Sequence, residues 1–377
     1  MARTASMRER IAMYNANALK IGLFGANCSS GRSATKVPER WSGSWPDCLR
    51  LARIADQAGI DFMLPIARWK GYGGDTDFHG ATLETITWAA GLLAATARMT
   101  VFCTVHAPLF HPLIAAKALV TADHIGEGRL GVNLVVGWNE GEFEMFGVAQ
   151  REHDMRYDFA QEWLDVVKRA WTEVGDFDVE GRSLTLTKVR AFPKPFGATR
   201  PIIMNAGSSP AGQAFALHYC DAFFTATAGS RTSLEGNARR VEEIKGTARA
   251  FGRDIDVYTV GQVVCRPSQR EAENYYRYSI IDNADWGAVE HVLKMRNITP
   301  EKFSPDEYAA KRKYFAGNAI GGYPFVGTPD KIAEEFAGLS NAGLRGIAVS
   351  FVDFLGELPY FCEEVLLRLR HFGVRHL

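Results

Sequence analysis

Short runs of apolar, β-branched and aromatic residues recur along the chain, separated by longer amphipathic stretches. Eight runs, at residues 19–25, 61–67, 99–106, 129–138, 201–206, 221–226, 257–265 and 346–353, predict strands. Most are nearly continuous rather than alternating, the pattern of parallel strands buried on both faces. Helices fill the gaps. Residues 45–58 place Cys48, Leu51, Ala52, Ala55 and Ala58 on one face, with Ser44 to cap the start and Gly59 to end it. Helix, glycine turn and strand follow one another again through Gly126-Glu127-Gly128-Arg129 and through Asn341-Ala342-Gly343. Such alternation predicts a parallel sheet, and eight strands favour closure into a (β/α)8 TIM barrel. No GxGxxG follows the first strand, where an open nucleotide-binding sheet would place one.

Two spacings exceed a plain βα unit and predict insertions after strands 4 and 7, at about 139–200 and 267–330. The first contains an expected helix at 157–171 and a hairpin-like segment at 177–189; the second contains Tyr275-Tyr276-Arg277-Tyr278. No linker composition interrupts the chain, so its 377 residues, 47% of them hydrophobic, are expected to form one domain. Lys plus Arg and Asp plus Glu both number 43, which argues against nucleic-acid backbones or anionic membranes as partners. No run is long and apolar enough to span a bilayer, and the first 20 residues lack an apolar signal core. The six cysteines (28, 48, 103, 220, 265 and 362) include no CxxC pair, so a reduced, cytoplasmic protein is expected. The histidines form no HExxH or HxH group, and no metal site is expected.

A barrel of this kind carries its chemistry at the C-terminal ends of its strands. Two polar residues interrupt apolar runs near such ends, Thr104 in Val101-Phe102-Cys103-Thr104-Val105 and Asn133 in Val132-Asn133-Leu134. A buried amide must find partners or cost about 1–3 kcal/mol. A bond to the neighbouring strand accounts for it as well as a ligand does. Arg156-Tyr157 at a helix start and Gly207-Ser208-Ser209 after the fifth strand offer anion-binding groups. Solvated surface explains such an arginine equally well. The loop Arg68-Trp69-Lys70-Gly71-Tyr72-Gly73-Gly74 is basic, aromatic and glycine-rich, suited to an anionic ring system or to exposure. G-x-S-x-G elbows, P-loops and convincingly paired carboxylates are missing, which points to chemistry carried by a cofactor.

Gly128-Arg129-Leu130-Gly131-Val132-Asn133-Leu134-Val135-Val136-Gly137-Trp138, followed by Glu142 and Met145-Phe146-Gly147, resembles the luciferase-like flavin monooxygenases. The similarity runs from Lys20 to about Phe361 and is greatest toward the pyrimidine oxygenases that open the uracil ring. It is most specific at 64–78, at the Asn133 strand, at Arg156-Tyr157-Asp158 and at Ala206-Gly207-Ser208-Ser209-Pro210-Ala211-Gly212. The resemblance implies that Ala67 and Arg68 contact FMN beside the isoalloxazine, and that Asn133 and Glu142 bind its ring or ribityl chain. It implies that Arg156, Tyr157 and Ser209 hold the phosphate. It further implies a dioxygen pocket formed by Thr104 and Asn133, and an oxidation passing through a flavin-N5 peroxide or oxide. Two departures stand out: Arg68 where the pyrimidine oxygenases have lysine, and Asn27-Cys28-Ser29-Ser30 in place of a proline-containing loop. The late-strand histidine of alkanesulfonate monooxygenases is replaced near Gln262.

The expectation is a two-component oxygenase that uses reduced FMN and dioxygen to cleave an amide, C–S or C–halogen bond in a small molecule. With no nicotinamide-binding signature, a separate NAD(P)H-dependent flavin reductase would be the partner. A homo-oligomer is expected. Rival readings are a sulfone or sulfonate monooxygenase working through a C4a-peroxide, a deazaflavin-dependent dehydrogenase, and a flavin-binding protein without turnover.

Overall fold

The computed structural model describes residues 11–225, 234–317 and 322–376. Among them, the strands in chain order are β1 (Lys20–Phe24), β2 (Phe62–Leu64), β3 (Thr100–His106), β4 (Leu130–Val135), β5 (Phe177–Glu180), β6 (Thr185–Val189), β7 (Ile202–Asn205), β8 (Ala222–Phe224), β9 (Asp256–Cys265), β10 (Tyr323–Gly327) and β11 (Gly346–Ser350). The main sheet runs β10-β9-β11-β1-β2-β3-β4-β7-β8, and β8 also pairs with β9. Eight strands therefore close into a (β/α)8 barrel, as expected, while β5 and β6 form a separate hairpin.

Each expected strand is present, mostly shorter than its apolar run. β2 stops at Leu64 because Pro65 has no amide to give a ladder. β4 ends before Gly137, whose φ of +75° leaves the extended region. β11 ends at Ser350, and Asp353, expected at its tip, instead caps the helix Phe354–Phe361 by accepting from the Gly356 amide at 3.0 Å. Ala226, expected to finish β8, lies outside the described residues. The helix expected at 157–171 extends over His153–Thr172, and the hairpin lies where expected. The stretch 267–330 holds one strand that the sequence reading missed, β10, which pairs in parallel with the second half of β9.

The chain folds as two compact units. In the unit built on residues 84–224 and 245–256, Phe102 and Gly131 are register partners, and a Cβ on Gly131 would collide with the Phe102 ring. This fit sets β3 against β4. At the start of β4, Arg129 donates to the carbonyls of Leu93 and Thr96 at 2.9 Å, closing the C-terminus of the helix Thr85–Ala95. Asp221 accepts from the Ile203 amide at 2.9 Å while Arg200 grips it with two nitrogens at 2.6 and 2.7 Å.

The other unit repeats both devices. Gly22 and Gly346 leave room for the rings of Phe62 and Tyr258, which meet edge-on at 5.9 Å between centroids. Asp61, before β2, accepts from the Ile21 amide at 2.8 Å and from Asn17 at 2.9 Å, and forms a fully buried ion pair with Arg375. Arg375 also donates to the carbonyls of Leu19 and Gly59, so the C-terminal segment is tied to the start of β1.

The Phe102–Gly131 fit makes a direct prediction. Gly131→Ala should cost about 1–3 kcal/mol of stability, the scale of overpacking a filled core. Adding Phe102→Leu should recover part of the loss. Urea midpoints for the two single variants and the double variant measure this, and simple additivity would refute the contact.

Candidate active site

β3 and β4 carry the expected polar pair side by side. Thr104 and Asn133 are register partners, and Asn133 Nδ2 donates to Thr104 Oγ1 at 3.2 Å. Both are buried, and Thr85 Oγ1 donates to the Thr104 carbonyl at 2.7 Å. Asn133 Oδ1 is buried without a hydrogen-bond partner among the described residues. Half of the amide is thus accounted for by the neighbouring strand, and its oxygen is left to be satisfied by something else.

Next along the sheet, Asn205 at the end of β7 donates to the Leu134 carbonyl at 2.6 Å and accepts from the Gly207 amide at 2.7 Å. It folds the Gly207–Ser209 turn into the helix Pro210–Tyr219, where Ser209 is the N-cap and accepts from Gly212 at 3.1 Å. The Tyr157 hydroxyl sits against this turn. A Cβ on Gly207 would lie 2.8 Å from it, and one on Gly212 2.5 Å, so both positions require glycine. Burial pushes the Tyr157 phenol up from its ordinary pKa, against a hydrogen bond with Ser209, so it stays protonated. Arg156 is held by two carbonyls, Nε donating to Arg151 at 2.8 Å and Nη1 to Gly137 at 3.1 Å. Glu142, expected nearby, is buried in the first turn of the helix Glu140–Met145. The hydroxyls of Tyr157 and Ser209 thus meet at a helix N-terminus over Gly207 and Gly212, a setting that suits a phosphate.

Ala67 and Arg68, the remaining expected residues, belong to the other unit. The backbone leading to them is fixed by Asn27, whose amide exchanges two 2.8 Å hydrogen bonds with Ile66. The Arg68 guanidinium lies 4.8 Å above the Tyr72 ring. Beyond Tyr72 stack Phe78 and His79, the last two 4.0 Å apart. His79 Nε2 lies 2.5 Å from the Gly31 carbonyl. Burial, then the positive field of Arg68, lowers the His79 pKa to about 3, leaving a neutral imidazole.

This unit also holds groups that the sequence reading passed over. Arg32 is fully buried after β1; its Nη1 donates to Ser350 Oγ at 3.3 Å, and its Cζ lies 5.3 Å from the Phe24 ring. Among the described residues, Nε and Nη2 of Arg32 have no hydrogen-bond partner, nor does either amide atom of fully buried Gln262, the register partner of Ser350. Gln262, named from the sequence only as standing near a replaced histidine, breaks an apolar run, Val260-Gly261-Gln262-Val263-Val264, as Asn133 does, and that signal could have marked it as a site residue. A separate cleft of about 420 Å³ includes Arg266, Tyr275 and Glu357, but Arg266 already donates to Glu357 at 2.8 Å. Cys28, buried beside Ile66, has its thiol pushed up to about 12 by burial, so it is no nucleophile at neutral pH. No helix among the described residues is long and apolar enough to cross a membrane.

The luciferase-like monooxygenase family model matches residues 19–346, and the chain belongs to that family. It is 30% identical to the FMNH2-dependent dimethylsulfone monooxygenase of Pseudomonas putida, over 93% of this chain and 95% of that protein. It is 28% identical to the pyrimidine monooxygenase RutA of Allorhizobium ampelinum, over 93% and 97%. Among solved structures, riboflavin lyase RcaE with modified FMN and riboflavin superposes with a TM-score of 0.84 at 22% identity, covering 95% of this chain and 92% of that one. That likeness concerns the fold.

The buried imidazole predicts an acid-side stability loss. Above pH 6.5 His79 is neutral folded or unfolded; below it the unfolded chain takes up a proton that the native state refuses down to about 3. Stability should therefore fall by about 1.4 kcal/mol per pH unit through this window on account of His79 alone. His79→Asn, which tolerates the residue's φ of +62°, should show a shallower slope between pH 6 and 4 in denaturant titrations. Equal slopes would mean that His79 is not held neutral.

Proposed function

We propose that this member of the luciferase-like family is an FMN-dependent, two-component monooxygenase acting on a small organic substrate. The observation that carries the reading is the cradle of Tyr157, Ser209, Gly207 and Gly212 in the same unit as Asn133, whose Oδ1 is unsatisfied. The donors there match a terminal phosphate: a protonated phenol and a serine hydroxyl beside a helix start. Bound reduced FMN would supply the electrons for placing one atom of dioxygen in the product.

The chain's own residues would bind and orient. Tyr157 and Ser209 would donate to the phosphate, with Arg156, fixed by the Arg151 and Gly137 carbonyls, adding charge. Asn133 and Glu142 would hold the ring or ribityl chain. For Ala67 and Arg68 we propose flavin contact on the family resemblance alone. Thr104, oriented by the Asn133 amide, would border the space where dioxygen is received, and closure would exclude water. A partner flavin reductase would deliver the cofactor. We further read the chain as one working domain, because neither unit holds all eight strands, and as a cytoplasmic homo-oligomer. A sulfone substrate is the second reading, favoured by the 30% identity to the dimethylsulfone enzyme.

The phosphate assignment predicts tighter binding of FMN than of FAD, whose second phosphate and adenosine extend past the cradle. Arg156→Ala should lose roughly 1.5–3 kcal/mol of FMN binding, the scale of a charge-assisted hydrogen bond. Fluorescence-quenching titrations measure both, and equal FAD affinity would sink the assignment.

Thr104 predicts a different outcome. Thr104→Leu should keep the fold and FMN affinity while lowering product per reduced FMN, with more hydrogen peroxide released. Thr104→Ser, which keeps the hydroxyl, should be milder. Product yield is to be measured alongside melting temperature, since a merely structural threonine would change the second and not the first.

A further inference from the structure

The unit containing β1, β9 and β11 buries a cation for which its own residues provide no counter-charge. Arg32 is fully buried, and its one hydrogen bond is a 3.3 Å contact to a neutral hydroxyl, that of Ser350. Tyr314 and the neutral His79 are the titratable groups in electrostatic contact with it; no carboxylate is, among the described residues. A guanidinium without an anion in such a place is costly, because burial removes the water that would otherwise solvate its charge. Replacement by an apolar side chain would relieve that cost. Its retention makes sense when a ligand brings the missing charge.

The unused atoms define the ligand. Nε and Nη2 form one edge of the guanidinium, with their N–H bonds set parallel, and both lack partners among the described residues. That edge matches the two oxygens of a carboxylate. Gly322, with φ of +122°, packs against this edge where a Cβ would come within 2.9 Å of Nη2, so only glycine leaves the guanidinium uncrowded by a side chain. Gln262, in register with Ser350, adds a buried amide whose donor and acceptor are both unused. Its Nε2 can donate to a carboxylate oxygen and its Oε1 can accept from a neighbouring hydroxyl or N–H group.

We propose that Arg32, Gln262 and Ser350 form a substrate subsite for a small organic carboxylate bearing a hydrogen-bond donor next to the carboxylate. The proposal deepens the monooxygenase reading and rests on it for the name substrate, but the subsite can be tested without turnover. It separates this chain from an enzyme built for neutral molecules such as uracil or dimethyl sulfone.

Calorimetric titration of the full chain with lactate, propionate, propane-1-sulfonate, uracil and dimethyl sulfone, without flavin, tests it. Lactate should bind most tightly, about three- to tenfold better than propionate, the worth of one neutral hydrogen bond. Arg32→Met should weaken both roughly 10- to 100-fold while its melting temperature stays level or rises, because an unpaired buried charge is removed. Gln262→Leu should erase the preference for lactate over propionate. FMN quenching, measured on the same variants, should be unchanged. No carboxylate binding by the unaltered chain, binding that survives Arg32→Met, or tighter binding of the sulfonate or of a neutral probe would overturn the subsite. Normal carboxylate binding with no FMN binding would instead overturn the cofactor reading and leave the subsite standing.

Discussion

Ring-on-glycine packing inside the sheet is the constraint on which the rest depends. A parallel ladder can slip, and a one-residue slip turns every side chain to the opposite face. The Phe102 ring occupies the space that a Cβ at Gly131 would fill, so only one pairing of β3 with β4 is comfortable. Two residues further along the same face, that pairing delivers Thr104 opposite Asn133. In the other unit, Tyr258 sits over Gly346, and four residues on, the same register sets Gln262 beside Ser350. In both units, polar pairs near the strand ends inherit their positions from aromatic–glycine fits near the strand starts.

The two ends of the strands treat polar groups differently. Near the starts, Asp61 and Asp221 each accept a backbone amide from the preceding strand and each is gripped by an arginine. Such saturated groups contribute to the fold and offer nothing to a ligand. Near the ends, Asn133, Gln262 and Arg32 are buried with atoms left over. Each unsatisfied atom costs stability, on the order of 1–3 kcal/mol for a neutral group, and natural cores keep few of them. Asn133 and Gln262 lie in the later part of their strands and Arg32 in the loop that follows β1. That is the end of the strands where barrels of this fold hold their sites, which makes ligand binding the economical explanation.

The architecture was largely legible because parallel strands buried on both faces leave continuous apolar runs that periodicity detects. Asn133 was legible for the same reason, as a polar residue inside such a run. Ser209 and Tyr157 were legible as a cap and a helix start, both local signals. Arg32 and His79 were not. Their burial is created by contacts with Ser350 from more than 300 positions away and with the Gly31 carbonyl from 48 away. In the sequence they read as polar residues in glycine-rich loops. β10 escaped for another reason: five residues beginning Tyr-Pro give too short a run, and pairing with the second half of the longer β9 completes it. Strand ends were overestimated wherever an apolar run continued past a proline or a positive-φ glycine, as after Leu64 and before Gly137.

The displaced proton affinities of the two clusters share one consequence. Burial raises the Tyr157 phenol and the Cys28 thiol, lowers the His79 imidazole to about 3, and leaves Arg32, at about 9, cationic at neutral pH. Each of these groups is thereby locked in one protonation state through the physiological range. A general acid or base works best with a pKa near the operating pH. None of these side chains is poised that way. They are suited to fixed roles: Tyr157 as a donor, His79 as a neutral stacking partner, Arg32 as a permanent charge. Each cluster taken by itself, one offering a fixed donor and the other a fixed charge, is suited to positioning a ligand and leaves the bond-making to what it binds.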